Sequence, residues 1–139
     1  MTRIELLNWS EAREWAAPIR LEVFVGEQRV PAGIEIDDQD TQSVHALART
    51  PEGQAVATGR LLPDGHIGRM AVLREWRKKG IGGQILEALV GEARRRGLSE
   101  AVLSAQSHAI EFYLRHGFHT EGPGYMEAGI AHRLMRRAL

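Results

Sequence analysis

The sequence predicts an α/β (α+β) domain with a mostly antiparallel first half and a βαβ unit in its second half. Three observations lead to this prediction. Turns rich in Pro and Gly separate short runs of strand-forming residues between positions 44 and 72. A helical stripe of apolar residues follows at 81–93, and a short apolar strand and a second helical segment come after it.

The N-terminal segment is predicted to form one strand and two helices. Residues Arg3 to Leu7 suit a strand, and Asn8 to Glu11 have the spacing of a capping box, which starts a helix. Pro18 is expected to interrupt that helix, and a second helical stretch is predicted from Ile19 to Val25. The acidic segment from Gly26 to Asp40 has a Pro-Ala-Gly turn at its centre and is interpreted as a surface loop.

Strands predominate after the acidic segment. Val44 to Thr50 and Gln54 to Leu62 are joined by a Pro-Glu-Gly turn and predict a hairpin, and a Pro-Asp-Gly turn leads into a strand from His66 to Val72. The apolar stripe predicts a long amphipathic helix that ends at Gly97. The remaining predicted elements are a strand from Ala101 to Ala105, a helix from Ser107 to His116 and one or two strands that include Ile130 to Arg136.

The composition is typical of one globular domain spanning residues 1–139. Hydrophobic residues make up 43% and charged residues 26%, and 18 basic residues balance 18 acidic ones. A neutral chain has no overall electrostatic attraction to nucleic acid or to an anionic membrane, so an anionic ligand needs a local cluster of positive charge. The dense clusters are Arg74 to Lys79 and Arg94 to Arg96.

The sequence also argues against several other kinds of site. The lack of cysteine excludes a disulfide framework, a thiolate metal site and a cysteine nucleophile. His116 and His119 lack a third ligand, so no metal is expected. The opening residues from Met1 to Trp15 contain no sustained apolar stretch, which predicts neither a signal peptide nor a transmembrane helix and makes the cytoplasm the expected location.

The clearest functional signal is the segment Arg77-Lys78-Lys79-Gly80-Ile81-Gly82-Gly83, the basic glycine loop. It lies between a predicted strand and the start of the long helix, where free backbone amides and the helix dipole favour an anion. A Rossmann fingerprint is excluded because Ile85 replaces its third glycine, and the Gly-Lys-Ser/Thr of a Walker A loop is absent. The loop therefore predicts another kind of phosphate site, or a basic turn that only caps a helix.

Two motifs in this arrangement resemble the GNAT superfamily, the Gcn5-related N-acetyltransferases. Arg77-x-x-Gly80-x-Gly82 is similar to the family's Gln/Arg-x-x-Gly-x-Gly/Ala signature, and Phe112 to Phe118 is similar to its later Tyr-x-x-x-Gly-Phe segment. The resemblance narrows to the ElaA-like group of small bacterial GNAT proteins. The segments that resemble this group are Arg20 to Gln28, the acidic stretch to Asp40, Ala105-Gln106 and Glu127 to His132.

The sequence departs from these patterns at three positions. Gln106 stands where many GNAT members carry asparagine. Ala128 and Ala131 stand where the ElaA-like group is expected to carry Asp and Pro. All three positions lie in segments that otherwise resemble the group.

The resemblance implies a GNAT fold, in which about four helices flank a mixed, mostly antiparallel central sheet with a βαβ acetyl-CoA-binding core. It implies an N-acetyltransferase that uses acetyl-CoA without a metal. The acetyl group would pass to a primary amine of a small molecule or peptide by direct attack in a ternary complex, and a homodimer is a family-based expectation. The implied cofactor-binding residues are Met70, Ala71, Val72, Arg77, Lys78, Lys79, Gly80, Ile81, Gly82, Gly83, Gln106 and Tyr113.

Catalytic roles follow from the same resemblance and from the chemistry of acetyl transfer. Tyr113 matches the family's usual general acid, which protonates the departing thiolate; the alternative is that its ring only packs in the core. A lysine-like amine is neutral only about one time in a few thousand at pH 7, so the acceptor needs a base or an electrostatic pocket. Glu27 is the preferred base, and the other candidates are Glu35, Asp40, His45 and His132.

Two other functions compete with the enzyme. One is a degenerate coenzyme A-binding regulatory module that has lost catalysis, and the other is a nucleotide-binding protein that uses the same loop. Tyr113 favours the enzyme, and the absence of Walker and Rossmann patterns disfavours the nucleotide-binding protein.

Four aromatic residues could form a ligand cage, but we favour packing in the core and at the surface for them. They are Trp9, Trp15, Phe24 and Trp76.

Overall fold

The computed structural model describes the backbone of residues 1–139 and every side chain except those of Ile34 and Glu35. Seven strands and four α-helices are present, and the strands follow the predicted order with both of the last strands formed. Their bounds are β1 Arg3–Leu7, α1 Trp9–Arg20, α2 Ala32–Glu35, β2 Val44–Arg49, β3 Ala55–Leu61, β4 Ile67–Val72, α3 Ile81–Arg95, β5 Glu100–Gln106, α4 Ile110–Arg115, β6 His119–Glu127 and β7 Ile130–Ala138. The predicted second helix, Ile19 to Val25, is instead the end of the first helix and a π-helix, Leu21–Glu27, and a short helix lies within the predicted loop.

Helix α1 begins with the predicted capping box, in which Asn8 and Glu11 bond each other's backbone amides. The predicted interruption at Pro18 is wrong, because the helix continues through Pro18 to Arg20 and into a π-helix, Leu21–Glu27. Pro18 lies on the exposed side of the helix, whereas a stripe of apolar residues on the other side is buried. Packing of that stripe therefore outweighs the one backbone hydrogen bond that proline removes.

The segment from Gly26 to Asp40 is not simply a surface loop, and that prediction is wrong at both ends. Its first residues complete the π-helix, α2 forms one helical turn in its middle, and Asp40 is fully buried. Asp40 accepts hydrogen bonds from Arg20 at 2.8 Å and from Arg60 at 2.9 Å, and both arginines are buried too. A buried carboxylate is tolerated here because two guanidinium groups compensate for its lost hydration.

The strands form two antiparallel sheets. The four-stranded sheet has the order β1-β2-β3-β4, and the three-stranded sheet has the order β5-β7-β6. The predicted β2–β3 hairpin is present, and β4, α3 and β5 form the predicted βαβ unit. The architecture thus confirms the predicted fold class, with the refinement that the central sheet is split between β4 and β5.

The two sheets touch at one narrow junction. His66 and Val102 form a parallel bridge, and the Val102 amide donates to the Gly65 carbonyl at 3.0 Å. Gly65 has a φ of +99°, and a Cβ atom there would lie 2.8 Å from the Glu100 carbonyl oxygen. Only glycine fits so close an approach with that backbone conformation. Beyond this junction β4 and β5 belong to separate sheets, which leaves a gap between them.

Strand β4 contains a β-bulge beside that gap. Gly59 of β3 lies opposite two residues of β4, Arg69 and Met70. Arg69 has a φ of +49°, which is uncommon for a residue other than glycine. A bulge leaves one residue unpaired in the ladder and changes the direction of the strand, and such features are frequent next to active sites.

Helices cover both faces of the four-stranded sheet. Ala46 and Ala48 of β2 belong to the core under α3, where Ile85 and Leu89 are fully buried, and Leu47 belongs to the second core, under α1. The alternation follows from the two-residue period of a strand. Within the described chain, no helix combines the length and the apolar character needed to span a lipid bilayer.

Candidate active site

A cleft of about 800 Å³ occupies the gap between β4 and β5. All of β4 lines it, together with Leu103, Ser104 and Gln106 of β5. Further walls come from β3, the π-helix, the basic glycine loop, α4 and the hairpin of β6 and β7. The cleft is therefore bordered at one end by the basic glycine loop and at the other by the second sheet.

Most of the predicted site residues come together in this cleft. Those that line it are Glu27, Met70, Ala71, Val72, Arg77, Gly82, Gln106 and Tyr113. Lys78, Lys79 and Gly80 are exposed in the loop beside it, whereas the Ile81 side chain is buried in the core under α3. Gly83 lies against His116, where a Cβ atom would be 3.2 Å from the imidazole ring. Ile81 and Gly83 are therefore not among the residues that line the cleft.

The basic glycine loop presents the open end of a long helix. Gly80 is the N-cap of the 15-residue helix α3, has a φ of +81° and carries no side chain that could cap the first turn. The first amides of a helix have no intrahelical acceptor, and the helix dipole is positive at this end. An anionic phosphate group fits this arrangement, because it would accept from the uncapped amides.

Arg77 ties the loop to the π-helix. Its guanidinium donates two hydrogen bonds to the Glu27 carboxylate, at 2.8 and 3.0 Å, and its Nε donates to the Val72 carbonyl at 2.9 Å. Arg74 adds a longer contact of 3.4 Å to the same carboxylate. The hydrogen bond from Arg77 is the main reason that the pKa of Glu27 is lowered below its ordinary value. Glu27 is therefore held ionised, with a weakened affinity for a proton.

Tyr113 reaches across the cleft from α4 to β4. Its hydroxyl donates to the Met70 sulfur at 3.8 Å, and its ring packs edge-on against Phe112 and Phe118. Burial raises the pKa of Tyr113 to about 12. The hydroxyl consequently keeps its proton at neutral pH and remains a hydrogen-bond donor in the cleft.

Gln106 is paired with a residue that the sequence analysis did not identify. Its amide nitrogen donates to Gln28 at 2.8 Å, and the Gln28 amide donates back at 3.3 Å. This reciprocal pair links β5 to the segment after the π-helix across the cleft. Gln28 lies 78 positions away in the chain, and no local pattern indicates such a pairing.

His132 lies in the wall formed by the second sheet and is 6% exposed. Its Nδ1 is 2.6 Å from the Ile130 carbonyl oxygen, and its Nε2 is 3.6 Å from a Glu127 carboxylate oxygen. The Tyr125 ring stacks on the imidazole, with centroids 6.0 Å apart, and the Tyr125 hydroxyl bonds the Ser104 hydroxyl. Because a carbonyl only accepts, Nδ1 carries the proton and the neutral ring has its lone pair on Nε2.

The other predicted bases lie elsewhere or are already paired. Asp40 does not line the cleft, and His45 is buried with Nε2 2.9 Å from the Asp40 carbonyl oxygen. The Glu35 side chain lies outside the described residues. His116 bonds Glu87 rather than His119, and the described side chains contain no cluster of three or more residues able to hold a metal ion.

The four aromatic residues do not share one site. Phe24 lines the cleft, whereas Trp9 packs on His45 in the core under α1. Trp15 lies at the surface beneath the Arg49 guanidinium, which is 4.4 Å from the ring centroid, and Trp76 is partly buried against the core under α3. These positions match packing roles better than a ligand cage.

The split sheet, the bulge in β4 and the open end of α3 together form a cleft that suits an elongated ligand with an anionic group at one end. A family model described as an acetyltransferase (GNAT) domain matches residues 16–139, and the chain belongs to that family. This result confirms the family predicted from the two motifs.

Individual relatives agree with this assignment. The chain is 38% identical over 123 residues to the uncharacterized N-acetyltransferase YjcF of Bacillus subtilis, covering 86% of this chain and 87% of the relative. A crystal structure of an acyl-CoA N-acyltransferase from Pseudomonas aeruginosa superposes with a TM-score of 0.88 and 32% identity, covering 99% of this chain and all of that one. Escherichia coli ElaA gives a TM-score of 0.87 and 27% identity, with 99% of both chains covered.

Proposed function

We propose that this protein is an N-acetyltransferase that transfers the acetyl group of acetyl-CoA directly to a primary amine of a small molecule or peptide. The observation that carries the proposal is a single cleft that runs from the open end of α3, along the bulged strand β4, to the protonated hydroxyl of Tyr113. It offers an anion site, a strand edge and a proton donor in that order.

The residues beside β4 suit the long, phosphate-bearing shape of coenzyme A. The uncapped amides from Gly80 to Gly83 would hold the pyrophosphate, and the exposed Lys78 and Lys79 would reach outer phosphate groups. Met70 to Val72 would pair with the pantetheine arm along the gap left by the split sheet. When bound, acetyl-CoA supplies an activated acetyl thioester.

Two groups would then act at the reacting atoms. A backbone amide at the Arg69–Met70 bulge would donate to the carbonyl oxygen as negative charge develops there. Tyr113, which lines the cleft and whose hydroxyl donates to the Met70 sulfur, would give its proton to the departing sulfur. Gln106 would position the acceptor side of the cleft through its pairing with Gln28.

Two described carboxylates of the acidic segment, Asp37 and Asp40, do not supply a ready site for a cationic acceptor. Burial works to raise the pKa of Asp40, but hydrogen bonds from Arg20 and Arg60 outweigh burial and hold that pKa below its ordinary value. Asp37 is paired with Arg60 in the same way. Both carboxylates are therefore already paired with arginines of this chain. Glu127 is the less constrained acidic side chain that lines the cleft.

A panel of amines and peptide N-termini, assayed with acetyl-CoA by release of free thiol and by product mass, tests the proposal. We expect at least one amine to gain an acetyl group with equal release of thiol. Binding of coenzyme A without acetylation of any amine would instead favour the regulatory module. A thermal shift with ATP but not with coenzyme A would favour the nucleotide-binding protein.

The cytoplasmic location and the homodimer predicted from the sequence stay predictions. Fractionation of the native cell and the molar mass of the purified chain in solution are the measurements that decide them.

A further inference from the structure

We propose that His132 is the general base of this reaction and that its Nε2 removes a proton from the acceptor ammonium. Glu127 attracts the positively charged acceptor to this end of the cleft. This inference rests on the proposed function. It assigns the acceptor end of the cleft to the wall formed by β6 and β7, opposite the strand edge where the thioester would lie. It also replaces Glu27 as the preferred base.

The orientation of His132 suits this role. The 2.6 Å hydrogen bond from Nδ1 to the Ile130 carbonyl fixes the tautomer, so the lone pair is on Nε2. Burial and the stacked Tyr125 ring restrict rotation of the imidazole. Nε2 is directed toward Glu127, a side chain that is 59% exposed at the cleft and can meet a cationic amine arriving from solvent.

The alternatives in the cleft are less suitable. Three histidines line it, but His66 and His108 are exposed, and His66 is paired with Asp64. Glu27 is held by Arg77 and by a second arginine, which favour its ionised form and make it a poor proton acceptor. Glu27 is therefore better placed to fix the basic glycine loop to the π-helix than to accept a proton.

The proton transfers balance in the following way. The ammonium of the acceptor gives one proton to Nε2 of His132, which passes it to solvent beside Glu127. The neutral amine nitrogen forms a bond to the thioester carbonyl carbon, and the carbon–sulfur bond breaks. Tyr113 gives its proton to the sulfur. The nitrogen then loses a second proton, which returns to the Tyr113 oxygen. The products are the N-acetyl amide, the free thiol of coenzyme A and one proton.

Two variants separate base catalysis from structure. His132→Asn keeps an amide donor for the Ile130 carbonyl but removes the basic nitrogen, and His132→Ala leaves a space that imidazole can enter. Both are assayed with an aliphatic amine acceptor and with a fluorinated analogue of the same amine, whose lower pKa makes it neutral at pH 7. His119→Asn, at an exposed histidine on β6, is the matched control and should keep full activity.

For His132→Asn we expect kcat/KM to fall by about 10²–10⁴ with the aliphatic amine and by much less with the fluorinated amine, with an unchanged KM for acetyl-CoA. Added imidazole should restore part of the activity of His132→Ala. Equal losses with both amines, or no loss, would overturn the proposal.

The same amine comparison on Glu27→Gln distinguishes the two bases. A loss that depends on the amine pKa in that variant, and not in His132→Asn, would return the base to Glu27. If the wild-type protein acetylates no amine at all, the proposed function fails. If it acetylates amines and the His132 variants behave like wild type, only the assignment of the base fails.

Discussion

Replacing Tyr113 with phenylalanine tests the centre of the proposed mechanism. The change removes one hydroxyl, whose hydrogen bond to Met70 is a 3.8 Å contact with sulfur. The ring contacts with Phe112 and Phe118, at centroid distances of 5.0 and 6.0 Å, remain. We therefore expect the free energy of unfolding to change by less than about 1 kcal/mol, the usual range for one weak hydrogen bond.

The effect on catalysis should be much larger. A positioned proton donor contributes about 10²–10⁴-fold, which corresponds to about 3–5 kcal/mol of the activation barrier. Because burial raises the pKa of Tyr113 to about 12, the hydroxyl remains protonated across the neutral range and its contribution should not change between pH 6 and 9. We expect turnover to fall by that factor while the affinity for coenzyme A stays at the wild-type value.

The assay measures turnover at saturating acetyl-CoA and amine, together with calorimetric binding of coenzyme A and a thermal melt. Tyr125→Phe is the matched control, since it removes the same atom from a tyrosine of the second sheet that contacts Ser104 instead of Met70. A folded Tyr113→Phe protein with full turnover would refute the reasoning. Tyr113 would then have only a packing role.

Three further changes test the cofactor site and the buried ion network. Gly82→Val should abolish coenzyme A binding without unfolding the domain, because a Cβ atom meets its nearest neighbours only at 3.7 Å and the rest of the side chain would enter the cleft. Lys78→Ala with Lys79→Ala should raise the KM for acetyl-CoA more than it lowers kcat, since these exposed cations would contact phosphate groups in ground and transition states alike. Asp40→Asn should lower the free energy of unfolding by about 3–5 kcal/mol, because buried Arg20 would lose the Asp40 carboxylate and buried Arg60 would lose one of its two carboxylate partners, Asp37 being the other. The pKa of Asp40 is lowered on folding, so its stabilisation of the wild type should persist above the ordinary value of 3.8 and disappear only as the pH falls below it.

Each of these changes has a matched control. Gly91→Val lies farther along α3 in open space and should leave binding intact. Arg94→Ala removes a cation at the far end of that helix, and Asp38→Asn removes an exposed charge near Asp40. Wild-type calorimetric affinity in Gly82→Val, an unchanged KM with collapsed kcat in the lysine variant, or a wild-type melting temperature in Asp40→Asn would each contradict the corresponding prediction.

Local signals in the sequence determined the order of the elements and the position of the basic glycine loop. The hairpin, the capping box at Asn8 and the extent of α3 are visible because turns, caps and helical periods depend on residues close together in the chain. The same applies to the signature from Arg77 to Gly82 and to the segment around Tyr113, which together indicate the GNAT family.

Only the tertiary structure decided how charged groups are paired. The sequence placed Glu27 and Asp40 in one acidic segment, but it could not show that arginines from α1, β3 and the basic glycine loop neutralise both carboxylates. It also could not show that Gln28 meets Gln106 or that His132 lies in the wall of the cleft with its Nδ1 beside the Ile130 carbonyl. These contacts join residues from distant elements, and the proton affinity of a side chain depends on such neighbours rather than on its position in the sequence.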